Sequence, residues 1–422
     1  MLSHWICCQI GAREHYAIPR VLYQNGQLAK LYTDFWAGSM TRRMARSTGS
    51  AMFRSLATRF HPDLANAPIT SWNTSALAWE WTLRRRRKAD GVNGPYHRFA
   101  EVGRQFGSRV RDQLKRRTDL DSRSVFFAYD TGALEALEWC QERGIPGVLN
   151  QMDPNRIEME LVHLEEKSWP GWTLQSVEVP EEYLQRRERE WALASRILIN
   201  SDFCRDALIK QGVPSEKLAV VPLCYELGEN SRKTGMASSK SPAANRPPGR
   251  PLRVLFLGQV ILRKGIQYLM QAARLLEKEN IQFDVVGPLG IAPEAVKTAP
   301  RNLVFHGRAS RDQTSAWYQQ SDVFVLPTLS DGFAITQIEA MANGLPVVAT
   351  PHCGRVVDDG VDGFIVPAKN AEALAAVFLR YASEPGLLES QSAAARQKAG
   401  QFSLRHLAQN LTQLEAGLLA GK

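Results

Sequence analysis

Two carboxylates, two cations and a cluster of small residues in the second half of this 422-residue sequence have the types and spacing to hold a phosphorylated ligand. In "PTLSDGFAITQIEAMANGLPVVAT", from Pro327 to Thr350, Asp331 and Glu339 stand eight residues apart around a short apolar helix. At helical rise that separation is about 10 Å. It is too long for a shared proton, or for a carboxylate pair flanking one glycosidic bond. It suits a ligand with hydroxyls at two ends and a phosphate between them, facing the helix N-terminus. A nucleotide sugar is such a ligand. Upstream, "RVLFLGQVILRKGIQYLMQAARLL" reads as a strand, a loop from Gly258, and a helix, with Arg263, Lys264 and Gly265 at the junction. Two cations and backbone N–H groups there would neutralise a diphosphate. A helix that merely begins with surface cations is the plainer alternative.

The elements that must position these residues are also legible. Short apolar runs alternate with helix-length amphipathic segments. In the first half they are "HWICCQI", "VFFAY", "PGVLNQ", "RILIN" and "LAVVPL". In the second they are "RVLFLG", "FDVVG", "LVFHG", "VFVLPT", "PVVAT" and "GFIVP". Continuous apolarity marks strands buried on both faces, as in a parallel sheet covered by helices. The expected class is therefore α/β, with two Rossmann-like, doubly wound domains. Residues 228–251 hold almost no large apolar side chain and read as a flexible linker. The expected division is an N-terminal domain over 1–227, a C-terminal domain over 252–400, and a last helix over 401–422 that packs back on the first domain. Ligands of such sheets bind at the carboxyl ends of the strands, where both motifs fall.

Composition narrows the function classes. With 44% hydrophobic and 23% charged residues, the chain reads as an ordinary globular protein. It has no apolar run of membrane-spanning length, and its first residues lack the pattern of a signal peptide. Six scattered cysteines without a CxxC favour a reduced, cytoplasmic chain. The net charge of +9 is local: the stretch from Arg84 to Arg117 holds twelve Lys or Arg against three acids, and the remainder balances. The run from Arg84 to Lys88 follows Trp79, Trp81 and Leu83, which suits peripheral contact with an anionic membrane, as at the inner face of a cell membrane. A solvated helix end explains it equally. No nucleic-acid motif accompanies the charge.

Several of these stretches together resemble a glycosyltransferase of family 4, of the GT-B fold. They are "VLFLGQVILRKGIQYLMQAARLL", "VFHGRASRDQTSAWYQQSDVFVLPT", "SDGFAITQIEAMANGLPVVAT" and "VVDDGVDGFIVP". More loosely, "ICCQIGAREHYAIPRVLYQNGQLAKLYTD" resembles the family's N-terminal glycine loop and first helix. The resemblance implies two domains facing across a cleft and retaining transfer from a nucleoside-diphosphate sugar to a glycan, lipid-linked or small-molecule hydroxyl, without a metal or other cofactor. It makes Glu339 the holder of the ribose hydroxyls and puts Asp331 near the donor sugar. Gly332, Phe333, Ala334 and Ile335 match the loop whose backbone amides meet sugar and phosphate. Lys264 matches the phosphate-binding Lys, Gly307 and Arg308 the turn near the base, and Gly11 and Arg13 the N-terminal glycine loop, which with Gly258 are expected to bind the donor.

The sequence departs from that family in four places. Gln259 stands where the family has its phosphate Arg, with Arg263 as the candidate substitute. Asp331 replaces a Glu, and Ala12 replaces the second loop Gly. Where many members have a His, this chain reads Gln151, Met152 and Asp153. Three arrangements stay open: Asp153 serves the donor sugar, His15 reaches in, or the role is absent. His15 also reads as a half-buried residue of the first helix, and Asp153-Pro154 as a turn. Asp119-x-Asp121 looks like a metal pair but precedes its strand, on the wrong edge for a ligand. A nucleotide-sugar epimerase or hydrolase, and a silent nucleotide-sugar-binding protein, are the rival functions.

Overall fold

The structure, a computed structural model, describes residues 3–47, 51–86, 94–174, 176, 178–226 and 249–420. Seven strands form the first sheet: β1 (His4–Gln9), β2 (Leu28–Thr33), β3 (Ile69–Ser71), β4 (Ser124–Tyr129), β5 (Gly147–Gln151), β6 (Arg196–Ile199) and β7 (Leu218–Val220). Their order is β3-β2-β1-β4-β5-β6-β7. Six more form the second: β8 (Leu252–Leu257), β9 (Ile281–Val286), β10 (Leu303–Gly307), β11 (Val323–Leu326), β12 (Val347–Ala349) and β13 (Gly363–Ile365). They run in the order β10-β9-β8-β11-β12-β13, and every ladder in both sheets is parallel. The strand order reverses between β1 and β4, and again between β8 and β11. Those two points are where such sheets open a crevice at their carboxyl edge.

The continuous apolar runs resolve into two faces. Ile6 and Cys8 of β1 join one core with Phe126 and Ala128 of β4, while Trp5 and Cys7 join the other with Val125 and Phe127. In β8, Val254 and Phe256 face one way and Leu255 the other. Strands β2 and β3 escaped the sequence reading. Lys30 interrupts the first, and the second is a three-residue edge strand with no fully buried side chain.

Each half lends an element to the other. The last helix, Leu404–Ala420, lays Leu407, Leu411, Leu414 and Leu418 into the core that holds Trp5 and Cys7. Glu415 on it accepts from the Ser3 backbone N–H at 3.2 Å and from Gln27 Nε2 at 2.7 Å. In return the helix Arg156–Ser168 leads Trp169 and Trp172 onto the core of the second sheet. Most of the stretch 228–251 lies outside the described residues. Its end is packed, since Arg250 Nη2 lies 2.8 Å from the fully buried carboxylate of Asp322.

The turn after β1 is strained. Glu14, His15 and Tyr16 all have positive φ, of 50°, 50° and 61°, a conformation costing roughly 1–2 kcal/mol for each L-residue. It is held because the Gly11 N–H donates to Asp34 Oδ1 at 2.8 Å, Asn150 Nδ2 donates to Glu14 Oε1 at 3.2 Å, and Tyr16 is buried edge-on against Trp36. Burial pushes the Glu14 carboxyl up to about 7, against the opposing pull of its hydrogen bond with Asn150 and of the Arg13 charge.

Two outcomes follow for stability. Leu411→Ala is expected to cost about 2–5 kcal/mol in chemical denaturation, because the vacated volume lies inside a packed core. A loss below about 1 kcal/mol would mean the helix only rests on the surface. Because the folded-state pKa of Glu14 lies above its unfolded value, the fold favours the protonated acid. Stability therefore falls as pH rises from 4.5 towards about 7. Glu14→Gln should flatten part of that fall, leaving the contribution of Glu190, which burial also raises to about 7. Parallel stability–pH curves for the two proteins would contradict this.

Candidate functional site

The carboxyl edge of the second sheet is assembled by close backbone approach. Gly265 has φ +75°, and a Cβ there would sit 1.8 Å from the Pro327 carbonyl oxygen. The short turn Leu262–Lys264 is therefore pressed against the exit of β11, where the Leu329 N–H and Thr328 Oγ1 both donate to the Arg263 carbonyl. Gly287 likewise lets the exits of β8 and β9 touch, since its Cβ would meet the Gly258 carbonyl at 1.7 Å. Only glycine tolerates such contacts.

This packing brings Lys264 and Asp331 together. Their Nζ and Oδ2 form an ion pair, and each side chain is 14% exposed. The Asp331 N–H donates to the His352 carbonyl at 2.9 Å, which fixes the loop. Phe333 is buried in the core, and Ala334 takes φ +62°. The helix then runs over Thr336–Ala342, two residues beyond the left-handed Ala334. Glu339, part-exposed on its first turn, accepts from Tyr318 Oη at 2.8 Å. Burial and the Glu339 charge hold the Tyr318 hydroxyl well above its ordinary range, so it stays a donor. Gln259 is exposed at the mouth of β8, next to Gly258. Gly307, φ +71°, and the exposed Arg308 end β10 further along the same edge. Ile335 precedes the helix in right-handed conformation.

Arg263 does not stand beside Lys264 as a second open cation. Its Nη1 donates to Glu158 Oε2 at 3.1 Å and to the Ser330 carbonyl at 2.9 Å, and Ser330 Oγ donates to the same Glu158 oxygen at 2.8 Å. Glu158 belongs to the helix Arg156–Ser168 of the first half, so Arg263 ties the halves together. Burial raises the Glu158 carboxyl above its usual range, with Arg263 opposing. No local pattern in the sequence marks Glu158, whose partner lies 105 residues away.

The first sheet faces this site through the exit of β5. A Cβ on Gly332 would lie 1.9 Å from the Met152 carbonyl and 2.8 Å from Asn200 Nδ2. Gln151 is fully buried, accepting from Trp191 Nε1 at 2.9 Å and donating to the Asp153 carbonyl at 2.8 Å. Asp153 is bound at 2.7 Å to Arg187, which also meets Asp130 at 2.7 Å while only 1% exposed. Burial works to raise Asp153, but the Arg187 charge and hydrogen bond prevail and hold it below the usual range. Asp130, the more buried partner, is pushed up. Asp153 therefore anchors Arg187 next to the site.

His15 is exposed and lies in the strained turn before the first helix, not half-buried on it. Gly11 and Arg13 sit in that turn, at the carboxyl end of β1. Asp119 and Asp121 pair with Arg117 and Arg123 on the loop entering β4. Among the described residues, no group of three or more His, Cys, Asp or Glu is arranged to hold a metal, and no helix is long and apolar enough to cross a membrane. Of the basic run from Arg84 to Lys88, only the backbone of the first three residues falls within the described structure.

A family model for glycosyl transferases group 1 matches residues 251–384. A putative colanic acid biosynthesis glycosyltransferase of Salmonella typhimurium is 27% identical over 55% of this chain and 58% of its own length. A D-inositol 3-phosphate glycosyltransferase of Streptomyces griseus is 31% identical over 46% and 45%. The chain thus spans about half the length of the curated relatives it matches. Among solved structures, Anabaena Alr3699/HepE in complex with UDP superposes with a TM-score of 0.56, at 14% identity, over 98% of this chain and 100% of that one. Sucrose-phosphate synthase from Thermosynechococcus elongatus gives 0.61 at 15% identity over the whole of both. Both likenesses are likenesses of fold. Residues 251–384 are a group 1 glycosyltransferase domain, and the chain that carries them has the GT-B fold of two Rossmann-like domains.

Proposed function

We propose that this chain moves a hexosyl group from a nucleoside-diphosphate sugar to a hydroxyl acceptor, retaining the anomeric configuration in the manner of family 4 and needing no metal. The observation that carries the reading is the Lys264–Asp331 ion pair, set beside the left-handed loop at Ala334 with Glu339 along the same segment. A diphosphate arriving at Lys264 competes with Asp331 for the ammonium. Its charge is then met by a cation already in place, the kind of preorganised electrostatics that stabilises a leaving group. Backbone amides of Gly332 to Ile335 line the sugar and phosphate, Glu339 takes the ribose hydroxyls, and Gly307 and Arg308 border the base. The anomeric carbon becomes oxocarbenium-like near Asp331, and the acceptor oxygen attacks from the leaving-group face. The new C–O bond forms as the C–O bond to phosphate breaks, and the departing phosphate takes the acceptor's proton. The contact of Gly332 with Met152 closes the cleft on that side and excludes water. The solved relative of similar fold that holds UDP-glucose makes uridine donors the first to try.

A thermal-shift screen of UDP-, GDP- and ADP-sugars tests the donor, since a ligand at about 100 times its dissociation constant adds roughly 2.7 kcal/mol. Consumption of donor without acceptor would turn the reading towards a hydrolase or epimerase. Binding without any turnover would indicate a silent binding protein.

Lys264→Ala should weaken nucleoside-diphosphate binding by about 1.5–3 kcal/mol, the loss of a charge-assisted contact. Unchanged affinity by calorimetry in the folded variant would place the phosphate elsewhere.

The two carboxylates should fail differently. Glu339→Gln removes an acceptor far from the reacting bond, so free nucleotide and donor both bind more weakly and KM changes more than kcat. Asp331→Asn removes charge next to the reacting carbon and frees Lys264. Turnover should fall while free nucleoside diphosphate binds as tightly as before or more so. Equal losses of nucleotide affinity in the two variants would refute the two-ended site.

A further inference from the structure

The first domain holds a cavity of about 720 Å³ whose lining shares only Arg13 with the residues expected to bind the donor. It opens at the carboxyl ends of β1 and β4, where the strand order reverses, with Gln9 and Tyr129 among its lining. One wall is a single face of the helix Gly94–Leu114: Arg98, Phe99, Val102, Gln105, Phe106 and Arg109 recur at helical spacing and all line the cavity. Apolar and cationic residues thus share one stripe. Trp79, from the helix Asn73–Arg86, clamps that stripe by donating through Nε1 to Gln105 Oε1 at 2.7 Å. Phe99 lines the cavity yet remains 55% exposed.

The charge balance of the cavity is one-sided. Four arginines line it (Arg13, Arg59, Arg98 and Arg109) against two acids, Asp34 and Asp130. Both acids already face a cation. Asp34 pairs with Arg59, and Asp130 shares Arg187, which is not part of the lining, with Asp153. Arg13 and Arg109 make no ion pair or hydrogen bond among the described residues. The helix that supplies Arg98 and Arg109 belongs to the segment that accounts for the chain's entire net charge. A neutral sugar offers these guanidinium groups no charge to meet, whereas an oxyanion meets them with the fork geometry that they favour. The aromatic walls suit a flat sugar face or a hydrocarbon.

We infer that this cavity is the acceptor site and that the acceptor is a phosphorylated molecule, its phosphate held by Arg13 and Arg109 and its apolar part by Trp79, Phe99 and Phe106. The inference rests on the transferase reading for the word acceptor, and on the cavity alone for the chemistry of the ligand. Two sources share that chemistry, a soluble sugar phosphate and a lipid phosphate.

The test uses the full chain and matched probes in calorimetry: glucose 6-phosphate against glucose, and hexyl phosphate against hexanol. At least one phosphate is expected to bind about tenfold or more tightly than its neutral counterpart. Selection of glucose 6-phosphate indicates a soluble acceptor, and selection of hexyl phosphate a lipid one. Arg109→Gln should abolish the preference and Arg109→Lys should restore part of it. Neither should alter the affinity for UDP, and Lys264→Ala should leave the phosphate preference intact. Equal binding of charged and neutral probes, or a preference that survives both Arg13→Gln and Arg109→Gln, would overturn the inference. If nucleoside diphosphates fail to bind while the phosphate preference holds, the transferase reading fails and the anionic site stands. If they bind and no preference appears, only the anionic site fails.

Discussion

Two carboxylates on one helix set the geometry of the cleft. Glu158 and Glu165 lie seven residues apart on Arg156–Ser168, two helical turns, and both reach into the other half of the chain. Glu158 takes Arg263 and Ser330. Glu165, with no exposed surface, is paired with Lys369 and accepts from Gln267 Nε2 and Tyr268 Oη, each at 2.9 Å. A buried carboxylate deprived of its partner costs about 3–5 kcal/mol, so the arrangement is intolerant of displacement. Its value is in position more than in net stability, since desolvation offsets much of the attraction. With Arg263 committed to Glu158, Lys264 is the cation of that turn that meets Asp331.

The exchange of elements reinforces this. Trp169 and Trp172 bury themselves against the second sheet, while Leu407 to Leu418 bury themselves against the first. Chain crossings at both ends leave the two sheets with their carboxyl edges opposed, and the contact of Gly332 with the Met152 carbonyl brings the two edges into touch. That contact depends on the absence of a single Cβ. The opposed edges are also where backbone strain collects, at Glu14 to Tyr16 on one side and at Ala334 on the other. Strain at such positions persists only where surrounding contacts over-determine it, as the Asp34, Asn150 and Tyr16 contacts do here.

What the sequence made legible follows from range. Strands buried on both faces announce themselves as unbroken apolar runs, so the central strands were readable. Strand β2, interrupted by Lys30, and the three-residue β3 were not. Lys264 and Asp331 could be assigned to one site because each lies in a strand-exit loop and the parallel α/β rule puts those exits on one edge. The tie from Arg263 to Glu158 is not legible, because side-chain partners across a cleft leave no local trace: Glu158 is an ordinary first-turn acid until the fold brings it near. The same holds for Asp153, whose carboxylate looks available for chemistry until Arg187, more than thirty residues on, is found bound to it at 2.7 Å. Glu14 was hidden for another reason. Nothing in "GAREHY" signals three consecutive left-handed residues, so the carboxyl that burial raises to about 7 could not be foreseen.

The electrostatics of the cleft then has a consistent logic. Glu158, Glu165 and Asp34 each have a cation of their own, and Asp153 and Asp130 share Arg187, so these acids do not confront an incoming polyanion unscreened. Lys264 and Asp331 differ in kind, for on the proposed reading one ligand needs both partners separately. The diphosphate draws the ammonium, and the carboxylate so released stands beside the carbon that becomes positive as the sugar leaves. Before the donor binds, each charge compensates the other, which keeps a part-buried lysine and a part-buried aspartate tolerable in the resting fold. After it binds, the same two charges face the two ends of the breaking bond. An ion pair that serves the resting protein by being closed would thus serve the reaction by opening. The shorter side chain at 331 accords with this, since an aspartate that reaches its lysine across the loop need only release it to be in place.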